Sequence, residues 1–121
     1  MILFHIIFFT IFIFTIVSLV LTLKGFFEKE KEFVNYLYAI KDMKTLYSLG
    51  IINEFGTRER RRTKFYEVES YLLKKFNLTK DDKYMEYFNI HVAYRGKIIA
   101  RFVLLFIIQA LFFLIRGILY S

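Results

Sequence analysis

The chain carries a long apolar stretch, almost free of charge, at each end. Residues 2–23 contain no Asp, Glu, Lys or Arg, and residues 98–120 contain only Arg101 and Arg116. All 11 acidic residues and 16 of the 18 basic residues lie between residues 24 and 97. A soluble domain with 57% hydrophobic and 24% charged residues would mix the two classes along the chain, and a disordered chain would be far less hydrophobic. The segregation therefore excludes both classes of protein.

Both apolar stretches are long enough to cross a bilayer as helices. Residues 2–23 would span about 33 Å at ~1.5 Å per residue, against a hydrocarbon core of ~30 Å. A cleaved signal peptide fits this stretch poorly, because no basic region precedes it and no small-residue cleavage site follows it. We therefore predict an all-α membrane protein, with transmembrane helices at 1–24 and 98–121 joined by a long, basic, partly amphipathic-helical connection at 25–97.

Hydrophobic periodicity predicts three helices within this connection. Residues 28–48 read as an amphipathic helix that stops at Gly50 and extends the first transmembrane helix. A second helix is predicted over 64–76. A third is predicted to begin at Thr79, as its N-cap, and to run into the second transmembrane helix past Gly96. The predicted apolar faces comprise Phe33, Leu37, Ile40, Met43 and Tyr47 in the first helix, Phe65, Val68 and Leu72 in the second, and Tyr84, Met85 and Phe88 in the third.

The charge of the connection predicts its side of the membrane. Residues 24–97 hold 16 basic and 11 acidic residues, and basic residues near the helix ends face the matrix or cytoplasm by the positive-inside rule. Both termini should then lie on the opposite side. Residues expected to anchor the helices at the membrane surfaces are Arg101, Arg116, Tyr94 and Tyr120.

The connector at residues 51–63 holds the densest basic cluster, which has three interpretations. It is a solvated charge cluster that sets topology, a site for anionic lipid such as cardiolipin or for an acidic neighbouring subunit, or an RNA-binding segment. No recognised RNA-binding motif accompanies it, so nucleic acid is not expected as a partner. The cluster comprises Arg58, Arg60, Arg61, Arg62 and Lys64.

Small and polar residues recur on one face of each apolar stretch and predict helix–helix packing. The predicted packing residues are Thr15, Ser18 and Thr22 in the first stretch, and Gln109, Ala110 and Gly117 in the second. Gln109 lies near the middle of its stretch, where an unpaired amide is costly. We expect its partner to be Thr10, Thr15 or a residue of another subunit.

No constellation for catalysis or metal binding is apparent. The chain has no cysteine and two histidines, His5 and His91, which a helical hairpin places at opposite ends, too far apart to share one metal. His91 is expected to be solvated. Neither apolar stretch contains Asp or Glu, so a proton relay by this chain alone is not expected. We predict no catalytic residue, no metal and no cofactor.

The chain has 16 Phe and 9 Tyr but no Pro, Trp or Cys, a bias towards residues with A/T-rich codons. In composition and layout it resembles mitochondrially encoded inner-membrane subunits of protist, ciliate-like, respiratory complexes. The resemblance implies a non-catalytic structural subunit of a large energy-converting membrane complex, with other subunits as partners. The alternatives are a divergent core subunit of a respiratory complex or ATP synthase that contributes to a quinone, haem or proton site, a free-standing pore-former or assembly factor, and a bacterial inner-membrane location.

Overall fold

The computed structural model describes residues 2–120 and is helical apart from its turns and one connector. Within this range there is no β-strand, and one isolated antiparallel bridge joins Ile52 to Arg58. The prediction of an all-α chain is therefore confirmed. The helices in chain order are α1 (Ile2–Ala39), α2 (Met43–Ser48), α3 (Phe65–Thr79) and α4 (Asp82–Tyr120).

The chain divides into two compact units. The first unit comprises Met1–Gly25 and Gly96–Ser121, and the second comprises Phe26–Arg95. The first unit pairs the N-terminal part of α1 with the C-terminal part of α4. The second unit holds the remainder of both helices, together with α2, α3 and the connector.

The first unit consists of two helical segments that bury little of their apolar surface. α1 and α4 are each long and apolar enough to cross a membrane, yet 11% of the most apolar stretch of either helix is buried. The side chains buried between the two segments are Thr15, Leu19, Ile98 and Ile108. Aliphatic and aromatic side chains cover the exposed faces.

The second unit has a hydrophobic core to which all four helices and the connector contribute. At its centre the rings of Phe33 and Tyr87 stack with their centroids 4.3 Å apart. The core comprises Phe33, Val34, Leu37, Leu46, Leu49, Ile51, Ile52, Val68, Leu72, Tyr84 and Tyr87. Four residues predicted to lie on apolar faces are instead 43–47% exposed, namely Ile40, Met43, Tyr47 and Phe65.

The helix predicted over 28–48 is interrupted, which explains the exposure of Ile40, Met43 and Tyr47. α1 ends at Ala39, Lys41 adopts a left-handed φ of 60°, and α2 begins at Met43. Asp42 caps α2 by accepting hydrogen bonds from the Thr45 N–H at 3.2 Å and the Thr45 hydroxyl at 2.6 Å. A carboxylate that caps a new helix competes with continuation of the old one. Apolar residues keep the same helical spacing on both sides of this break, so hydrophobic periodicity alone did not predict it.

The boundary between the second and third predicted helices also differs from the sequence prediction. Thr79 is the last residue of α3 rather than an N-cap, and its hydroxyl donates to the Lys75 carbonyl at 2.8 Å. Lys80 follows with a left-handed φ of 58°. Asp81 then caps α4, accepting from the Lys83 N–H at 3.0 Å. The prediction that this helix continues past Gly96 is confirmed.

Gly50 ends α2 as predicted, with a φ of 78°. Its carbonyl accepts a hydrogen bond from the Arg61 N–H at 2.7 Å, so the connector returns over the glycine. A Cβ at this position would lie 2.6 Å from the Arg61 carbonyl oxygen. Both the left-handed backbone and the close approach therefore require glycine here.

Candidate functional site

A groove with a volume of about 840 Å³ lies between the two helical segments of the first unit. Its walls are apolar and rich in aromatic rings, with Gln109, His5 and Tyr120 as the polar contributors. Its lining residues are Ile2, His5, Ile6, Phe8, Phe9, Phe12, Ile108, Gln109, Phe112, Phe113 and Tyr120.

Phe112 organises the aromatic part of this groove. Its ring stacks on Phe4 with centroids 5.6 Å apart and meets Phe8 edge-on at 5.7 Å. His5 also packs edge-on against Phe112, at 5.8 Å. Aromatic pairs at these distances contribute beyond the apolar area that they bury. The rings therefore join α1 to α4 in this part of the first unit.

Gln109 stands in the groove wall, and its amide makes no hydrogen bond within residues 2–120. Of the two partners expected within the chain, the Thr10 hydroxyl donates to the Ile6 carbonyl at 2.7 Å and the Thr15 hydroxyl donates to the Ile11 carbonyl at 2.9 Å. Both threonines thus bond to the backbone of their own helix, one turn earlier. The structure does not bring Gln109 together with either of them.

The predicted packing residues divide between the helix interface and the surface. Thr15 is buried, and Ser18 accepts a hydrogen bond at 2.9 Å from Nε of Arg101. The Thr22 hydroxyl donates to the Ser18 carbonyl at 2.8 Å. Ala110 and Gly117 are exposed, and a Cβ added at Gly117 would meet nothing within 4 Å.

The predicted anchor residues all make local contacts. Arg101, besides bonding Ser18, donates from its guanidinium to the Lys97 carbonyl at 3.0 Å. The Arg116 guanidinium lies 5.9 Å from the centroid of the Tyr120 ring. In the second unit, the Tyr94 ring lies 5.8 Å from that of Phe26. The hydrogen bond from Arg101 to Ser18 was not predicted, because it depends on the register of the helix pair.

The basic cluster separates into bound and exposed side chains. Arg60 forms an ion pair with Glu30, and Arg61 donates from Nε to the Ile52 carbonyl at 3.0 Å. The Arg61 guanidinium also lies over the Tyr47 ring, 3.9 Å from its centroid. Arg60 and Arg61 therefore hold the connector against α1 and α2, although the Arg60 side chain stays 59% exposed. Arg58, Arg62 and Lys64 are exposed, and Nζ of Lys64 lies 5.9 Å from the centroid of the Tyr66 ring.

Glu69 of α3 and His91 of α4 form a buried pair, which contradicts the expectation that His91 is solvated. His91 is 5% exposed, and its Nδ1 lies 2.9 Å from Oε2 of Glu69. Arg95 approaches the other carboxylate oxygen at 3.3 Å. In the sequence, Glu69 lies four residues after Phe65 and three before Leu72. An acidic residue on the apolar face of a predicted helix was the available signal for a buried partner.

Asp42 is the centre of a second polar cluster. Its carboxylate accepts hydrogen bonds from Thr45 and from the Tyr84 hydroxyl, and Nζ of Lys75 lies 3.5 Å away. Burial acts to raise the pKa of Asp42, but these hydrogen bonds and the lysine outweigh burial and hold the pKa below its ordinary value. Burial and the bond to Asp42 raise the pKa of Tyr84. The cluster ties the turn before α2 to α3 and α4.

The second unit has a cavity of about 520 Å³ beside the connector turn, lined in part by Tyr47, Tyr71 and Phe55. The Asn53 side-chain oxygen accepts hydrogen bonds from the N–H groups of Phe55 and Thr57, both at 3.0 Å. This turn presents Phe55 with 84% of its surface exposed. An ordered, exposed aromatic side chain is typical of contact surfaces.

Within residues 2–120, no group of three or more His, Cys, Asp or Glu side chains could hold a metal ion. No family model, curated protein or solved structure matches the chain.

Proposed function

We propose that the chain is an integral membrane protein that crosses a bilayer twice, through the first-unit parts of α1 and α4. The exposure of these segments carries the proposal. The helix at the core of a soluble protein is mostly buried, whereas only 11% of the most apolar stretch is buried here. Exposed apolar surface of this extent is unfavourable in water and favourable in lipid. Side chains that are at least 65% exposed include Phe9, Phe14, Phe106 and Phe113.

The length of α1 supports a membrane span over a signal sequence. The helix continues without interruption from Ile2 to Ala39. Its C-terminal part places Phe33, Val34 and Leu37 in the core of the second unit. Cleavage after the apolar stretch would detach a helix that is continuous with this core.

Within the membrane we propose a structural, non-catalytic role in a large energy-converting complex, with the respiratory chain of a mitochondrial inner membrane as the favoured host. The resemblance in composition supports the host. The groove, with an amide in its wall, and the exposed Phe55 support contacts with other subunits. Arg58, Arg62 and Lys64 are free to contact cardiolipin head groups or an acidic neighbour.

A second candidate function is favoured by the groove itself. A concave apolar site with a few polar groups is typical of small-ligand sites, and His5 and Gln109 both line this one. A core subunit of a respiratory complex would use it to hold the ring of a quinone. A photoreactive quinone analogue that labels the groove residues of the assembled complex would favour this second function.

The test of the structural role is the size of the chain's native assembly. Membranes are solubilised in mild detergent and separated by native electrophoresis, and co-migrating proteins are identified by mass spectrometry. The 14.7 kDa chain should migrate with a complex many times its own mass and with a constant set of other subunits. Migration as a monomer, or as an assembly of this chain alone, would contradict the proposal and favour a free-standing membrane protein.

A further inference from the structure

We propose that the groove of the first unit receives a third transmembrane helix, supplied by a different chain, which carries an Asn, Gln, Ser or Thr at the depth of Gln109. This inference rests on the proposed membrane role and names the kind of partner that the role requires. Four observations lead to it: the position of Gln109, the lack of an internal partner, the shape of the groove and its exposure.

The amide of Gln109 lies in the middle of its apolar stretch. Gln109 lies eight residues after Arg101 and seven before Arg116, at the centre of the 98–120 stretch. These separations correspond to about 12 Å and 10 Å along a helix. If the two arginines reach opposite membrane surfaces, the amide lies near the midplane. Water is absent there, so an unpaired amide is costly.

The hydrogen-bonding groups of the Gln109 amide determine the chemistry of its partner. A carboxamide has two N–H donors and an acceptor oxygen, and none of these is used within residues 2–120. The hydroxyls of Thr10 and Thr15 donate to their own helix. Lipid acyl chains offer neither donors nor acceptors. A group that both donates and accepts satisfies the amide most fully, and the compact side chains of this kind that join membrane helices are those of Asn, Gln, Ser and Thr.

The shape of the groove suits a helix. The groove is concave, and its rim is exposed: Ile2 is 78% exposed and Phe113 is 65% exposed. A small ligand seated in the groove would leave this rim exposed, whereas a helix lying along the groove would cover it. A helix presents a convex row of side chains that fills such a groove.

Shape also argues against a second copy of this chain as the occupant. Two copies related by a two-fold axis would place groove against groove. The two concave walls would leave space around the paired amides. A helix of another chain avoids this void.

The experiment is site-specific photo-crosslinking in native membranes. Phe113, in the groove wall, is replaced by p-benzoylphenylalanine, and Leu111, which is 45% exposed and outside the groove, is replaced in a matched control. Irradiation should join position 113 to one other polypeptide. Peptide mapping should place the link in a transmembrane helix, within one turn of an Asn, Gln, Ser or Thr. The same adduct should be much weaker from position 111.

A second variant tests the amide directly. Gln109→Leu should lower the yield of the adduct from position 113 by roughly three- to eighteen-fold, which correspond to the average and the strongest interhelical hydrogen bonds measured in membranes. Ile107→Leu, outside the groove lining, should leave the yield unchanged. An unchanged yield in Gln109→Leu would overturn the role of the amide.

The outcomes separate this inference from the proposed function. An adduct only with lipid, with a small amphiphile such as a quinone, or with a second copy of this chain would overturn the inference. The chain would still migrate with other subunits in native electrophoresis, and the structural role would stand. Migration of the chain alone would overturn both.

Discussion

Gly50 shows how much one residue constrains the second unit. An alanine there would adopt a left-handed φ of 78° and place its Cβ 2.6 Å from a backbone oxygen of Arg61. The left-handed conformation alone costs about 1–2 kcal/mol, and the clash forces the connector to move. We expect Gly50→Ala to lower the free energy of unfolding of the second unit by about 2–3 kcal/mol. Denaturation of the full chain in detergent, followed by tyrosine near-UV circular dichroism, measures the change.

Gly56→Ala is the matched control for this substitution. Gly56 also has a positive φ, 82°, but a Cβ there would meet nothing within 4 Å. Only the cost of the left-handed backbone remains, so the loss of unfolding free energy should be about 1–2 kcal/mol. Equal losses of unfolding free energy in Gly50→Ala and Gly56→Ala would show that the close approach of the Arg61 carbonyl to position 50 contributes nothing.

At this scale the sequence predicted the place of Gly50 but not the reason for it. Glycine after a run of helical spacing indicates a helix end. The return of Arg61 over the glycine, and its bond to the Gly50 carbonyl, join residues 11 positions apart. Contacts of this kind depend on the path of the connector, which no local pattern encodes. For the buried pair of Glu69 and His91, the position of Glu69 on an apolar helix face signals a buried partner, but the identity of that partner depends on how α3 packs against α4.

At the scale of elements, Asp42 links three helices through one carboxylate. Its folded pKa lies below the ordinary value of 3.8, so the charged form stabilises the fold. This stabilisation is fully present above the unfolded pKa and is lost as pH falls through the folded pKa. Asp42→Asn keeps an N-cap residue but removes the charge that faces Lys75. We expect this variant to be less stable than the native chain at pH 7, by about 1–2 kcal/mol.

The dependence of stability on pH distinguishes the contribution of the Asp42 charge from that of its helix cap. The difference between the native chain and Asp42→Asn should stay constant above about pH 5 and shrink as pH falls below about 4. Asp42→Ala, which removes both charge and cap, should remain less stable than the native chain at low pH. Thermal unfolding in detergent across this pH range gives both curves. A difference for Asp42→Asn that persists unchanged in acid would contradict the role of the charge.

The same carboxylate explains an error in the prediction of elements. Apolar residues continue at helical spacing from Phe33 to Tyr47, and nothing in that spacing marks a break. The cap at Asp42 and the left-handed Lys41 divide the segment, and Lys80 and Asp81 divide the next one in the same way. Links of two or three residues without glycine or proline give a weak sequence signal. The long apolar segments were predicted well because their length and lack of charge leave few alternatives.

At the scale of the whole molecule, the distribution of charge predicts that the second unit faces the matrix or cytoplasm. Residues 24–97 hold 16 of the 18 basic residues, and Arg62 is exposed in the non-helical connector. Because the chain has no cysteine, a single introduced thiol reports the side on which it lies. Arg62→Cys in intact mitoplasts should resist a membrane-impermeant maleimide and react after permeabilisation. Ile2→Cys should react in intact mitoplasts.

The two thiols are expected on opposite sides of the membrane, so their reactivity in intact mitoplasts distinguishes the two orientations. If the charges near Lys24 and Lys97 set topology, the positive-inside rule requires both helix ends beside the connector to lie on one side. Leu111→Cys, within the second apolar stretch, is the control and should stay unreactive in both preparations, because a maleimide reacts with a hydrated thiolate. Labelling of Arg62→Cys in intact mitoplasts, with protection of Ile2→Cys, would reverse the orientation. Labelling of Leu111→Cys would contradict the membrane span itself, since a thiol in hydrocarbon has neither water nor access to the reagent.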